Sequence, residues 1–135
     1  MASQADADKY KDRSLFDKLG VKAEWKACVI GAIDRTFVRD LGRAVASLSV
    51  GRLVRGCDAI FYGVEREGDL PRLTKLKPAL KPTGALWTIR PKGRPEISEA
   101  SVMEAGKLAG LVDVKVVRFS DTHTAEKFVI PVKDR

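Results

Sequence analysis

The chain has 135 residues, 44% of them hydrophobic and 32% charged, with a formal net charge of +7. That length supplies one domain with a single buried core, and its apolar runs are far too short for a membrane-spanning helix. The excess of positive charge points toward anionic partners: a small anion, nucleic acid or an acidic protein.

Residues 1–14, small, polar and charged, read as a flexible tail, leaving 15–135 as the single domain. No charged-then-apolar leader opens the chain, which predicts a cytoplasmic protein. The run 25–32, "WKACVIGA", is apolar and ends at a glycine, as a buried parallel strand does. Asp34 then stands where a helix cap belongs, and Phe37, Val38, Leu41, Val45 and Leu48 recur at helical spacing. A short second strand is expected near 50–54. "CDAIFYGV" (57–64) is the next buried strand. Asp69 opens a second predicted helix carrying Leu70, Leu73, Leu76 and Leu80, stopped by Pro82 and Gly84. "ALWTI" (85–89) is a third strong strand, with Trp87 expected in the core. Ser98 caps a third helix, with Ile97 and Val102 placed as a hydrophobic staple and Gly110 as its terminating residue. Strands at 113–119 and 126–132 flank "SDTHTA", a connection short enough for a hairpin, so the last strand runs antiparallel.

The order β-α-β-β-α-β-α-β-β predicts an α/β fold, a three-layer Rossmann-like sandwich whose sheet is mainly parallel with an antiparallel C-terminal strand. Cys28 and Cys57 are too few for a disulfide framework or a metal cluster, and read as buried thiols in a reducing compartment. No metal site is expected.

At "DAIFYGV…LKPTGALWTI" the chain resembles the second half of the class I S-adenosylmethionine-dependent methyltransferases, in which a lysine-proline-glycine turn leads into a late strand. The stretches "ALWTIRPKG" and "AGLVDVKV" (109–116) are similar to those of a bacterial family of small methyltransferase-like domains with no assigned activity. The resemblance spans roughly residues 15–133. Where that family often carries a tryptophan-serine pair in the final hairpin, this chain reads His123-Thr124. The resemblance implies a site for the cofactor built from a glycine-rich turn after the first strand and a carboxylate after the second. Here the turn is "IGAIDRTF", with Gly31 alone, and residues 49–55 offer Arg52 and Arg55 but no carboxylate. An arginine cannot accept hydrogen bonds from ribose hydroxyls. No cofactor is therefore expected, with S-adenosylmethionine as the alternative.

Ligands of open parallel sheets sit beyond the carboxyl ends of the strands. The segments meeting there carry Gly31, Arg35, Arg66, Arg90, Lys92 and Thr124 as candidate ligand-binding residues, with Arg90 and Lys92 as charge-assisted donors to an anion. A solvated exit loop is the competing reading of "RPKGRP". Asp121 and His123 are weak catalytic candidates, a small acid-base group near neutral pH, against a polar hairpin whose side chains bond locally. The sequence thus reads as a non-catalytic binding or regulatory module for an anionic ligand or partner. The alternative is a methyltransferase with an atypical cofactor site, and exposed apolar patches would favour self-association into a homo-oligomer.

Overall fold

A computed structural model describes residues 15–135; the tail expected over residues 1–14 lies outside them. Residues 15–19 form a helical turn (α1), which the sequence pattern did not single out. There follow β1 (Lys26–Ile30), α2 (Arg35–Ala44), β2 (Ser47–Val50), β3 (Cys57–Gly63), α3 (Leu73–Leu76), β4 (Leu80–Pro91), α4 (Glu99–Leu108), β5 (Val112–Arg118) and β6 (His123–Val129). The sheet order is β2-β1-β3-β4-β6-β5. Strands β2, β1, β3 and β4 are parallel neighbours, while β6 runs antiparallel to both β4 and β5.

Both sheet faces are covered, which makes three layers. On one face α1 and α2 enclose Leu19, Ala27, Val29, Phe37, Leu41, Phe61, Trp87 and Ile89. On the other, α3 and α4 close over Ile60, Tyr62, Leu73, Leu76, Leu86, Val102 and Phe128. This is the two-sided burial that makes the strands read as continuous apolar runs rather than alternating ones. Trp87, as expected, is fully buried.

The local signals hold where a single side chain carries them. Asp34 accepts the Phe37 amide at 3.0 Å, and Ser98 accepts the Ser101 amide at 3.2 Å. Ile97 and Val102 are both fully buried, and Gly110 is left-handed at φ +80°. Boundaries differ in four places. The last strand, expected over 126–132, is His123–Val129, because His123, Thr124 and Ala125 already pair with the end of β4. The helix after Asp34 stops at Ala44 because Val45 turns extended, so β2 begins at Ser47 rather than near 50. The segment after Asp69 is not one helix but a 3-10 stretch (Glu67–Arg72), the single turn α3 and a second 3-10 turn (Lys77–Ala79). Pro71 and Pro78 remove amide donors and interrupt the α-helical ladder. "LKPTG" belongs to β4 itself, which starts at Leu80 with a register shift against Cys57–Ala59. No helix among the described residues is long and apolar enough to cross a membrane.

Candidate functional site

β2 and β3 lie on opposite sides of β1, so the direction of the fold reverses at the carboxyl ends of β1 and β3. Ligands of such sheets collect at that point. The exits of β1, β3, β4 and β5 do meet on this edge. The Lys92 amide donates to the Thr122 carbonyl at 2.9 Å, tying the end of β4 to the β5–β6 hairpin, and the Val64 amide donates to the Ile89 carbonyl at 2.9 Å.

Gly31 has φ +83°, and a Cβ there would lie 2.7 Å from the Gly63 carbonyl oxygen. A Cβ on Gly63 would in turn strike the Ala32 carbonyl. The two glycines therefore serve a close crossing of chain over chain, where β1's exit passes across the end of β3. At β2's exit the Ser49 hydroxyl donates to the Arg52 carbonyl at 2.6 Å, and no carboxylate follows.

A cavity of about 350 Å³ opens on the α2 side of this edge, between α1, the β1–α2 turn, α2, the end of β4 and the hairpin. Its polar lining comprises Asp34, Thr36, Asp40, Ser120, Thr122 and His123. Its apolar wall includes Phe16, Phe37 and Phe119, with Phe37 packed edge-on against Phe16 and Phe119 at centroid distances of 5.7 and 4.8 Å. The hairpin is held by its own bonds. His123 Nδ1 lies 2.7 Å from Thr122 Oγ1, the His123 amide donates to Ser120 Oγ at 3.1 Å, and the Phe119 and Ser120 amides both donate to the His123 carbonyl. Two carboxylates face this space, Asp34, which accepts the Phe37 amide, and Asp40, which pairs with Arg39 at 3.2 Å; among the described residues no lysine or arginine lines it.

The basic residues named from the sequence do not converge here. Arg90 is 9% exposed and points to the opposite, α4 face of the sheet. Its Nε meets Glu126 Oε2 at 2.6 Å and its Nη1 donates to the Ile97 carbonyl at 3.4 Å. The second oxygen of Glu126 accepts the Thr88 hydroxyl at 2.8 Å. Burial pushes the Glu126 carboxyl above the ordinary glutamate range, while the bonds from Arg90 and Thr88 and the Arg90 charge pull it down. Arg90 is thus committed to an internal ion pair and is not open to an anion, because strand alternation turned it inward where Glu126 needs a counter-charge. Arg35, Arg66 and Lys92 are exposed outside the cavity, and Thr124 is half-buried beside Arg90 in the sheet register. Arg94, from the same basic run, donates to the Glu65 carbonyl at 2.8 Å.

The acid-base group proposed from the hairpin is not assembled either. Asp121 pairs with Arg118 at the surface and does not line the cavity. His123 alone of the two contributes. Sequence reasoning missed Thr36 and Asp40, which stand four apart on α2 and so share a face; that spacing was the available signal. It also missed Phe16, since α1 is short and carries no capping pattern. Among the described residues no group of three or more His, Cys, Asp or Glu side chains gathers as for a metal ion.

No protein-family profile matches the chain, and no curated protein does. Solved structures do. A magnesium protoporphyrin IX methyltransferase from Synechocystis, solved with bound S-adenosylmethionine, superposes with a TM-score of 0.64 at 11% identity, over 93% of this chain and 79% of its own. An S-adenosylmethionine-dependent methyltransferase from Aquifex aeolicus gives 0.62 at 18% identity, over 89% of each chain. The fibrillarin pre-rRNA processing protein of Methanococcus jannaschii gives 0.58 at 15%, over 82% and 68%. The chain has a methyltransferase fold. With identities this low the likeness concerns architecture. Against that architecture, Gly31 stands alone after β1 and serves the close passage of the Gly63 carbonyl, and no carboxylate stands at the β2 exit, where the resemblance implies one to hold the ribose.

Proposed function

We propose that this methyltransferase-fold domain binds a small, positively charged organic molecule in the cavity between α2 and the β5–β6 hairpin. One observation carries the reading: the cavity at the carboxyl edge is lined by Asp34, Asp40 and His123 with three hydroxyls, and among the described residues by no lysine or arginine. Carboxylates in a partly enclosed apolar space favour a cation over an anion, since an anion would meet like charge in reduced dielectric. Aromatic walls add attraction for an onium group where a ring face is presented. The volume falls within the range of small-molecule sites. This replaces the anionic ligand that net charge and the basic run suggest.

A second reading, methyl transfer from S-adenosylmethionine with an atypical cofactor seat, is favoured by the fold of the structural neighbours and by the sulfonium charge of that cofactor, which suits the same carboxylates. On that reading Asp34 and Asp40 hold the positive charge and the hairpin orients the acceptor; the cofactor would supply the methyl group.

Amide-resolved NMR titration of the full chain tests both. Tetramethylammonium should shift residues 32–40 and 119–123, and inorganic phosphate should leave them in place. Asp34→Asn with Asp40→Asn should abolish the response while keeping the helix cap, which asparagine supplies as well. Shifts with phosphate and none with the cation would overturn the reading. S-Adenosylmethionine binding in the micromolar range at the same residues would support the second reading, and its absence would remove that one alone.

A further inference from the structure

Helix α4 presents an outward face that no other described element covers. Ala100, Glu104, Lys107 and Leu108 are exposed on it, and Leu108 is 79% exposed. The inner face is the reverse: Val102 is fully buried, and Gly106 lies so close to the Phe128 ring that no side chain could be added. Leu108 forms a ridge between two hollows. One, of about 440 Å³, is lined by Ser101, Glu104, Ala105 and Leu108 on α4 and walled by Leu70 and Pro71. The other includes Leu111 and Val112, the latter 45% exposed. A lone surface leucine needs no explanation, but an apolar ridge flanked by hollows does.

Ser101, Glu104, Ala105 and Leu108 stand at i, i+3, i+4 and i+7. That is the four-residue hole into which a side chain of a facing helix packs as a knob. We propose that two copies of this chain associate through α4 about a twofold axis, with Leu108 of each copy as the knob in the hole of the other. The order Met103-Glu104-Ala105-Gly106-Lys107-Leu108 reads apolar, acid, two small residues, base, apolar, and reversing it only exchanges the acid and the base. An antiparallel contact therefore places Glu104 of each copy opposite Lys107 of the other, two equivalent ion pairs on one rim, whereas a parallel contact would set like charges together. The exposed edge of β5 is a poorer route. A register shift between Asp113 and Lys115 kinks that strand, and charged residues interrupt its valines. A contact one short helix long lies below the size of stable interfaces, so the association is weak and depends on concentration.

Sedimentation velocity on the full chain, from micromolar to millimolar concentration, tests this. The expected result is a monomer–dimer equilibrium that Leu108→Asp abolishes without changing the circular dichroism spectrum, because that side chain is outside the core. Glu104→Lys and Lys107→Glu should each weaken the dimer several-fold, and the two together should restore it. A wild-type chain monomeric throughout, a dimer indifferent to Leu108→Asp, or a double variant no tighter than the single ones would overturn the proposal.

Discussion

Replacing Arg90 by methionine tests how this fold tolerates charge in its interior. Methionine keeps most of the unbranched stem, so the packing against α4 is largely conserved while the guanidinium is lost. Glu126, with no exposed surface, would retain only the Thr88 hydroxyl as a partner. Removing one member of a buried ion pair costs about 3–5 kcal/mol, chiefly because the remaining charge is stranded. With an unfolding entropy of ~2.1 cal/mol/K per residue, 135 residues give ~0.28 kcal/mol/K, so the melting temperature should fall by about 11–18 °C at neutral pH. The pH dependence has a definite sign. Glu126 titrates above the ordinary glutamate range in the folded protein, so the folded state binds its proton more tightly than the unfolded state. The stability this confers is fully present below the ordinary glutamate value and is lost as pH rises through the raised one. Loss of Arg90 raises Glu126 further, so the deficit of Arg90→Met relative to wild type should shrink on acidification. Urea unfolding at neutral and mildly acidic pH, followed by circular dichroism, measures both effects. The combined change Arg90→Met with Glu126→Leu should recover most of the loss, since an apolar pair needs no counter-charge. A cost below about 1 kcal/mol for Arg90→Met, or a deficit that grows on acidification, would refute the buried-pair argument.

Two further outcomes are expected. Trp87→Ala should cost about 3–5 kcal/mol in urea unfolding, because it empties a fully buried site under Lys127, whose Nζ stands 6.0 Å from the ring centroid; a cost below about 1 kcal/mol would contradict that packing. Burial, together with the Cys28 sulfur 2.7 Å away, pushes the Cys57 thiol up to about 12. Both thiols are fully buried, so neither should react with an aromatic disulfide reagent at pH 8 while the chain is folded, and both should react on unfolding; fast labelling of the folded protein would refute this.

The architecture was legible wherever one stretch of chain carried its own signal. β1, β3 and the centre of β4 are apolar runs buried on both faces, and the caps at Asp34 and Ser98 are each a side chain bonding an amide three residues on. The region after Asp69 shows the limit of such reasoning. Leu70, Leu73, Leu76 and Leu80 are all buried, as their spacing required, but Pro71 and Pro78 break the helix that the spacing implied. Side-chain period reports which face is apolar and says nothing of missing amide donors; the sequence signal for the broken ladder was Pro71 and Pro78 themselves.

The candidate site was less legible because a strand's pleat divides neighbours in sequence between opposite faces. Ile89 pairs with Ala125 and Pro91 with His123, and this set faces α2 and the cavity. Arg90, Thr124 and Glu126 take the intervening positions and face α4. Side chains alternate across a sheet at a period of two, so a single ligand cannot meet both sets. Grouping Arg90 with Thr124 as ligand-binding residues joined two that do share a face, but it is the face where Glu126, 36 residues from Arg90, already supplies the carboxylate. A positive net charge says nothing of how charge is partitioned across a sheet, and here the carboxylates of Asp34 and Asp40 are on the cavity side while the buried arginine lies behind it, neutralised within the core.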